Sequence, residues 1–245
     1  MASDLASPLR GRGILVTRPR EQAAGLARLI EQAGGRAHLF PAIEIQDLPT
    51  PQALARLQEF DLAVFVSPTA AARVMRQVQA WPGRLRAAAV GAGTRRELER
   101  HGVTQVISPS RGADSEALLA LPELGAFKAI VIFRGEGGRE LLGETLAARG
   151  ARVEHAACYR RARPTAQPQS WKPGEIAAVT VSSAQGLANL FEMLDPGLLR
   201  AAPLFVPHAR IAEQARARAV REVVVAGPSD EEMLERLVAY FRSHD

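Results

Sequence analysis

The feature that most restricts the fold of this chain of 245 residues is an internal repeat. "GILVTRPREQAAGLARLIEQAGGRA", beginning at Gly13, matches "AIVIFRGEGGRELLGETLAARGARV", beginning at Ala129, and sets Arg18 on Arg134 and Gly34 on Gly150, an offset of 116. "DLAVFVSPTAAARV" from Asp61 matches "IAAVTVSSAQGLAN" from Ile176 at an offset of 115, which sets Ser67 on Ser182. "AVGAGTRRELERHG" with the "SPSRGADSEALL" that follows it pairs with "FVPHARIAEQARARAV" and "GPSDEEMLERL". Matches in the same order at a nearly constant offset mark a duplication, not a coincidence of apolar patterning.

Both copies alternate short apolar runs with amphipathic ones. The runs read as buried parallel strands at Ile14–Thr17, Leu62–Val66, Ala87–Val90, Gln105–Ile107, Ile130–Phe133, Ala177–Val181, Leu204–Val206 and Glu222–Val225. The amphipathic stretches predict helices starting near Arg20, Pro51, Ala70, Arg95, Ser115, Gly138, Ala184, Arg210 and Asp230. The expected fold class is therefore α/β, with parallel sheets flanked by helices. "LFPAIEIQDL" (Leu39–Leu48) and "ACYRRARPTAQP" (Ala157–Pro168) are extended in character and occupy equivalent places in the repeats, as two strands linking two lobes would.

Composition narrows the function classes. Hydrophobic residues make up 47% and charged residues 23%, the profile of an ordinary globular protein. No apolar run approaches the roughly 20 residues of a membrane helix, and "MASDLASPLRGRG" lacks the apolar core of a signal peptide. A single cysteine, Cys158, excludes an internal disulfide and a Cys-rich metal site. A cytoplasmic protein without membrane contact is expected. Net charge is +5, and all but two of the 31 basic residues are arginine, the exceptions being Lys128 and Lys172. Guanidinium forks fit carboxylate or phosphate oxygens. The arginines are dispersed among glutamates and aromatics are only 5%, which argues against nucleic acid as the partner.

Ligands of open parallel sheets gather at the carboxyl ends of the strands. Those positions carry "TRP" (Thr17–Pro19), "SPT" (Ser67–Thr69), "GAGT" (Gly91–Thr94), "RGEGG" (Arg134–Gly138), "SSAQG" (Ser182–Gly186) and "PHAR" (Pro207–Arg210). Small residues, hydroxyls and arginines at helix starts favour anions, and so many of them on one rim point to an extended polyanion. Taken singly, a Ser before a helix is an ordinary cap, as Ser115 and Ser229 are expected to be.

Other chemistries fit poorly. "RGEGGRE" and "GAGTRR" depart from the dinucleotide fingerprint, and neither carries the Lys-Ser/Thr of a phosphate loop. The repeat partner of "RGEGG" is "RPREQ", which keeps the arginine and has none of the glycines. His38, His101, His155, His208 and His244 show no metal-ligand spacing, so no metal is expected. Cys158 reads as a packed cysteine. Tyr159, beside Arg160, Arg161 and Arg163, reads from pattern alone as a strand aromatic, though a phenol there could also donate a proton.

With these motifs in order, "ILVTRP", "VFVSPTAA", "VGAGTRRELERHG", "VIFRGEGGRELLGETLAARGARV" followed by "CYRR", "VTVSSAQGLANL" and "PHARIAEQAR", the chain resembles the uroporphyrinogen-III synthase family over nearly its whole length. The resemblance implies two similar α/β lobes, each a parallel sheet flanked by helices, joined by a two-stranded β ladder with the cleft between them. It places one lobe at 1–38 plus 166–245, the other at 46–157, and linker strands at 39–45 and 158–165. It implies cyclisation of hydroxymethylbilane, a linear tetrapyrrole, to uroporphyrinogen III with loss of water and inversion of ring D. Catalysis would come from positioning and electrostatics, with no cofactor.

Carried onto this chain, the resemblance makes Tyr159 the residue that assists hydroxide loss. It puts Thr17, Arg18, Ser67, Gly91, Thr94, Ser182 and Ser183 at substrate-binding positions, with Arg134 and Gly138. Where relatives have a threonine, "PHAR" brings His208 and Arg210, and the arginine could reach a carboxylate directly. The family pattern also implies a monomer and allows a transient contact with the preceding enzyme of the pathway. Two alternatives remain open from sequence: a non-enzymatic two-lobed sensor of a small polyanion, from which "CYRR" in the hinge would distinguish an enzyme, and a nucleotide-dependent enzyme, which would be stabilised by NAD(P) or ATP.

Overall fold

The structure is a computed structural model, and it describes residues 7–112, 114–165, 171–172 and 174–244. In chain order its elements are β1 (Gly13–Val16), α1 (Arg20–Gln32), β2 (Arg36–Leu39), β3 (Glu44–Asp47), a 3-10 segment (Gln52–Glu59), β4 (Leu62–Phe65), α2 (Pro68–Met75), β5 (Arg86–Ala89), α3 (Ala92–Arg100), α4 (Ser115–Leu119), a second 3-10 segment (Pro122–Ala126), β6 (Ala129–Gly135), α5 (Leu141–Ala148), β7 (Arg152–Ala162), β8 (Ile176–Thr180), α6 (Ala184–Met193), α7 (Pro196–Ala201), β9 (Leu204–Val206), α8 (Ala209–Ala217), β10 (Val223–Val225) and α9 (Asp230–Ser243). The chain divides into two units, Met1–Glu44 with Ala162–Asp245, and Ile45–Arg161.

Each unit holds one five-stranded sheet. The first has the order β10-β9-β8-β1-β2, with every neighbouring pair parallel. The second has the order β3-β7-β6-β4-β5, and β7, β6, β4 and β5 run parallel to one another. The two sheets reveal how the repeat is used. By the repeat, β1 and β2 correspond to β6 and β7, and β8 and β9 to β4 and β5. Each sheet therefore joins the first strands of one copy to the later strands of the other.

Continuous apolar runs form the central strands because both faces are covered. Ile14, Leu15 and Val16 of β1 and Leu62, Ala63, Val64 and Phe65 of β4 are fully buried. In the first unit, α1 turns Ala23, Leu26 and Ile30 inward, and α9 turns Met233, Leu237 and Phe241 inward; the two helices meet over Ile14, Val16 and Phe205. Each such leucine or isoleucine contributes about 1.5–3 kcal/mol by leaving water. In the second unit Phe65 and Phe133 stack with centroids 5.1 Å apart beneath α2.

Several local expectations change. The stretch after Pro51 is a 3-10 segment with a non-helical residue at Arg56, not an α-helix. Gln105–Ile107 forms only a bridge, Ala88 to Ile107, since Gln105 sits at a φ of 57° that a strand cannot continue through. The helix expected at Gly138 starts at Leu141, because Gly137 and Gly138 are spent on a turn with φ of 71° and 102°. Strand β2, "RAHL", adds to the expected set. It is a half-exposed edge strand and lacks a continuous apolar run. The cap of α4 is Asp114, whose carboxylate accepts from the Ala117 amide, and not Ser115. Ser229 does cap α9, and the amide and hydroxyl of Ser229 hold the Glu232 carboxyl below its ordinary range. The extended run expected to Pro168 ends as strand at Ala162, and residues 166–168 lie outside the described residues.

Candidate functional site

In the second sheet the strand order reverses between β4 and β6, with β5 outside β4 and β7 outside β6. The carboxyl ends at such a reversal leave a crevice that neither connecting segment covers. A cleft of about 240 Å³ opens there, lined among others by Ser67, Arg134, Gly135, Tyr159 and Arg161.

Tyr159 reaches this cleft through an irregularity in β7. Arg134 pairs with Ala157 and Gly135 with Tyr159, so β7 carries one extra residue, Cys158. A regular strand sends neighbouring side chains to opposite faces. Here Cys158 and Tyr159 pack in the same apolar cluster, as a bulge allows. The ring is only 3% exposed. Its hydroxyl lies 3.1 Å from Ser67 Oγ, which also accepts from the Ala70 amide at 3.1 Å as the cap of α2. Gly135 makes room for the ring, because a Cβ there would sit 2.8 Å from Tyr159 Cε2 and Cζ. Behind it, the buried Arg73 places Cζ 5.8 Å from the ring centroid and donates from Nε to Asp47 Oδ1 at 2.5 Å.

Arg134 is the penultimate residue of β6 and is nine-tenths buried. Its Nη1 donates to Glu140 Oε1 at 2.9 Å and to His155 Nδ1 at 3.2 Å, and its Nη2 donates to the Gly137 carbonyl. A guanidinium nitrogen only donates, so Nδ1 accepts and the imidazole proton belongs on Nε2, which faces Glu140 Oε2 at 3.5 Å. Gly138 is part of the same arrangement, since a Cβ on it would meet Arg134 Nη2 at 3.0 Å. The glycine loop is therefore a wrapping for its own arginine. Arg139, also at the cleft, is held by Glu116 at 2.5 and 3.2 Å, and that guanidinium draws the Glu116 carboxyl below its usual range.

The first sheet has the equivalent reversal between β1 and β8. Thr17 is buried, and its hydroxyl donates to the Thr180 carbonyl at 2.6 Å. Arg18, the repeat partner of Arg134, is likewise held by a carboxylate and a carbonyl: it pairs with Asp230 and reaches Pro228 O at 3.4 Å. Ser183, not Ser182, is the cap of α6 and accepts from the Gly186 amide at 3.0 Å. The strand ends Phe65 and Thr180 are 115 apart and the caps Ser67 and Ser183 are 116 apart, so this loop is one residue longer in the second copy and Ser67 corresponds in structure to Ser183. His208 occupies the cap position of α8 without a side-chain cap bond, and Arg210 is exposed in its first turn.

The anticipated residues thus fall into two sets. Ser67, Arg134, Gly138 and Tyr159 share the cleft of the second unit. In that unit Gly91 holds the cap position of α3 and Thr94 is buried within the helix. Thr17, Arg18, Ser182, Ser183, His208 and Arg210 sit at strand ends of the first unit. Sequence reasoning missed Gly135, His155 and Arg161 as parts of the cleft, and Glu140 as the partner of Arg134. The Arg134–Glu140 spacing and the i+2 relation of Arg161 to Tyr159 were the available signals. Cys158 is buried and its thiol is pushed up to about 12, chiefly by desolvation, which removes it as a nucleophile.

Comparison with known proteins bears on the whole chain. A family model described as Uroporphyrinogen-III synthase HemD matches residues 24–235. Uroporphyrinogen-III synthase of Salmonella typhimurium is 35% identical over 242 residues, covering 91% of this chain and 98% of that protein. The Escherichia coli K12 protein of the same name is 34% identical over 241 residues, with the same coverages of 91% and 98%. Among solved structures, the Helicobacter pylori 26695 uroporphyrinogen-III synthetase superposes with a TM-score of 0.65 at 14% identity, covering 94% of this chain and 99% of that one. A uroporphyrinogen III synthase mutant from the extreme thermophile Thermus thermophilus superposes with a TM-score of 0.61 at 20% identity, covering 96% and 100%. At these identities the two structures speak to the α/β fold.

Proposed function

The chain belongs to the uroporphyrinogen-III synthase family and has that family's hydro-lyase activity in tetrapyrrole biosynthesis, and we propose that the Tyr159 cleft of its second unit carries the chemical step. The substrate the family implies is hydroxymethylbilane, whose hydroxyl must leave before the ring can close. Departure breaks a carbon–oxygen bond, and the phenol supplies the proton with which hydroxide leaves as water. Closure onto the substituted carbon of ring D, through a spirocyclic intermediate, finally releases a proton from a pyrrole carbon. The phenolate recovers that proton, so the cycle balances without a cofactor.

The single observation that supports this reading is the Tyr159 hydroxyl, held 3.1 Å from Ser67 Oγ at the strand-order reversal. Ser67 keeps the phenol pointed into the cleft and can accept its hydrogen bond or return one as charge develops. Purified protein without added cofactor should convert hydroxymethylbilane to the type III isomer. Formation of the type I isomer alone would overturn the proposal.

A further inference from the structure

The substrate that the family implies carries carboxylate side arms, and the cleft holds three guanidinium groups, of which two are already occupied. Arg134 is compensated by Glu140 and by the Gly137 carbonyl, and Arg139 by both oxygens of Glu116. The third, Arg161, is exposed and lines the cleft, and it has no hydrogen bond or ion pair among the described residues. Its neighbours are committed elsewhere: Arg160 donates to Gln46 at 2.8 Å, and Arg163 pairs with Glu192.

Arg161 stands two residues beyond Tyr159 on β7, so strand alternation returns its side chain to the face that the bulge gave Tyr159. One carboxylate, that of Glu136, shares the cleft. It is exposed and forms no ion pair with Arg161 among the described residues.

We infer that Arg161 is the carboxylate receptor of this cleft: it binds a side-arm carboxylate of the substrate and sets the reacting part of the chain beside the Tyr159 phenol. Arg134, the more obvious candidate in the sequence, is a structural arginine that shapes the loop. A carboxylate arriving at Arg134 would have to displace Glu140, whereas one arriving at Arg161 displaces only water. The inference rests on the reading of the Tyr159 cleft as the substrate site.

The test is steady-state kinetics on hydroxymethylbilane with Arg161→Ala, Arg161→Lys and Tyr159→Phe, each at several ionic strengths. Losing a charge-assisted hydrogen bond predicts a KM raised about tenfold or more in Arg161→Ala, with kcat within about threefold of the parent. Arg161→Lys should recover most of the loss, and KM of the Ala variant should depend less on salt. An unchanged KM in Arg161→Ala overturns the inference, as does a loss confined to kcat or one that lysine fails to recover. If Tyr159→Phe lowers kcat in the same experiment, the cleft reading survives that failure. If neither variant changes the kinetics, the cleft reading falls with the inference.

Discussion

Tyr159 and Ser67, 92 residues apart, place their hydroxyl oxygens 3.1 Å from each other, and Ser67 also caps α2. One serine thus fixes both a helix start and the direction of a phenol. Tyr159→Phe should lower kcat by about 10²–10⁴ with KM little changed, the size expected for loss of a general acid. Ser67→Ala should cost about 1 kcal/mol of stability through the lost cap and lower kcat by a smaller factor. Ser67→Thr should preserve both. Rates measured with separation of the type III and type I isomers, beside thermal melts, check this. A Tyr159→Phe enzyme with unchanged kcat removes the phenol from the reaction.

Gly135→Ala tests whether close approach is what the loop glycine provides. The new methyl would stand 2.8 Å from two ring atoms of Tyr159, so the ring or β6 must shift. Overpacking of this kind costs about 1–3 kcal/mol. The melting temperature and kcat should fall together, and Gly135→Ala combined with Tyr159→Phe should lose little further kcat. Additive kcat losses in the double variant would show that Gly135 acts elsewhere.

Cys158 should be silent towards thiol reagents. Burial raises its thiol to about 12, so the thiolate is scarce at neutral pH, and the side chain is only 2% exposed. Alkylation of the native protein at pH 8 should proceed only as fast as the protein opens, and rapidly in denaturant. Fast modification of native protein, followed by mass spectrometry, would contradict the packed placement.

Alkaline stability should report on Tyr240. Its phenol is raised to about 12 by burial and then by Glu222, whose Oε2 accepts its hydrogen bond at 2.6 Å. In the folded state the proton is held more tightly than in the unfolded chain, where it leaves near pH 10. The contribution is therefore complete below pH 10 and is lost as pH rises from 10 towards 12. Unfolding free energies at pH 9 and pH 11.5 should differ more for the parent than for Tyr240→Phe. Equal differences would show that the Tyr240 proton is not linked to folding.

The duplication and its βα rhythm were legible because strands covered on both faces, such as β1 and β4, read as uninterrupted apolar runs. Strand β2 was not: it is an edge strand, and Arg36 and His38 interrupt its apolar pattern. The bulge at Cys158 left no mark in the sequence, because the extra residue is apolar like its neighbours. Without the bulge, neither the joint packing of Cys158 and Tyr159 nor the place of Arg161 could be deduced. The family resemblance named Ser67, Arg134, Gly138 and Tyr159, which the fold brings to one cleft. That Arg134 and Arg18 spend their charge on carboxylates of their own chain was visible only once the loops were folded.

The interleaved strand order also sets a timetable for synthesis. The second unit, Ile45–Arg161, is a continuous stretch and is complete before Ile176 has been made. The first sheet has β8 in its middle, between β9 and β1, so β1 and β2 must wait with an apolar strand edge unpaired while more than a hundred residues are added. Once Ala162 has emerged from the ribosome, the growing chain can hold a finished second sheet beside an orphaned first one. The amino-terminal β1–α1–β2 segment is thus the part of the newborn chain most in need of shelter.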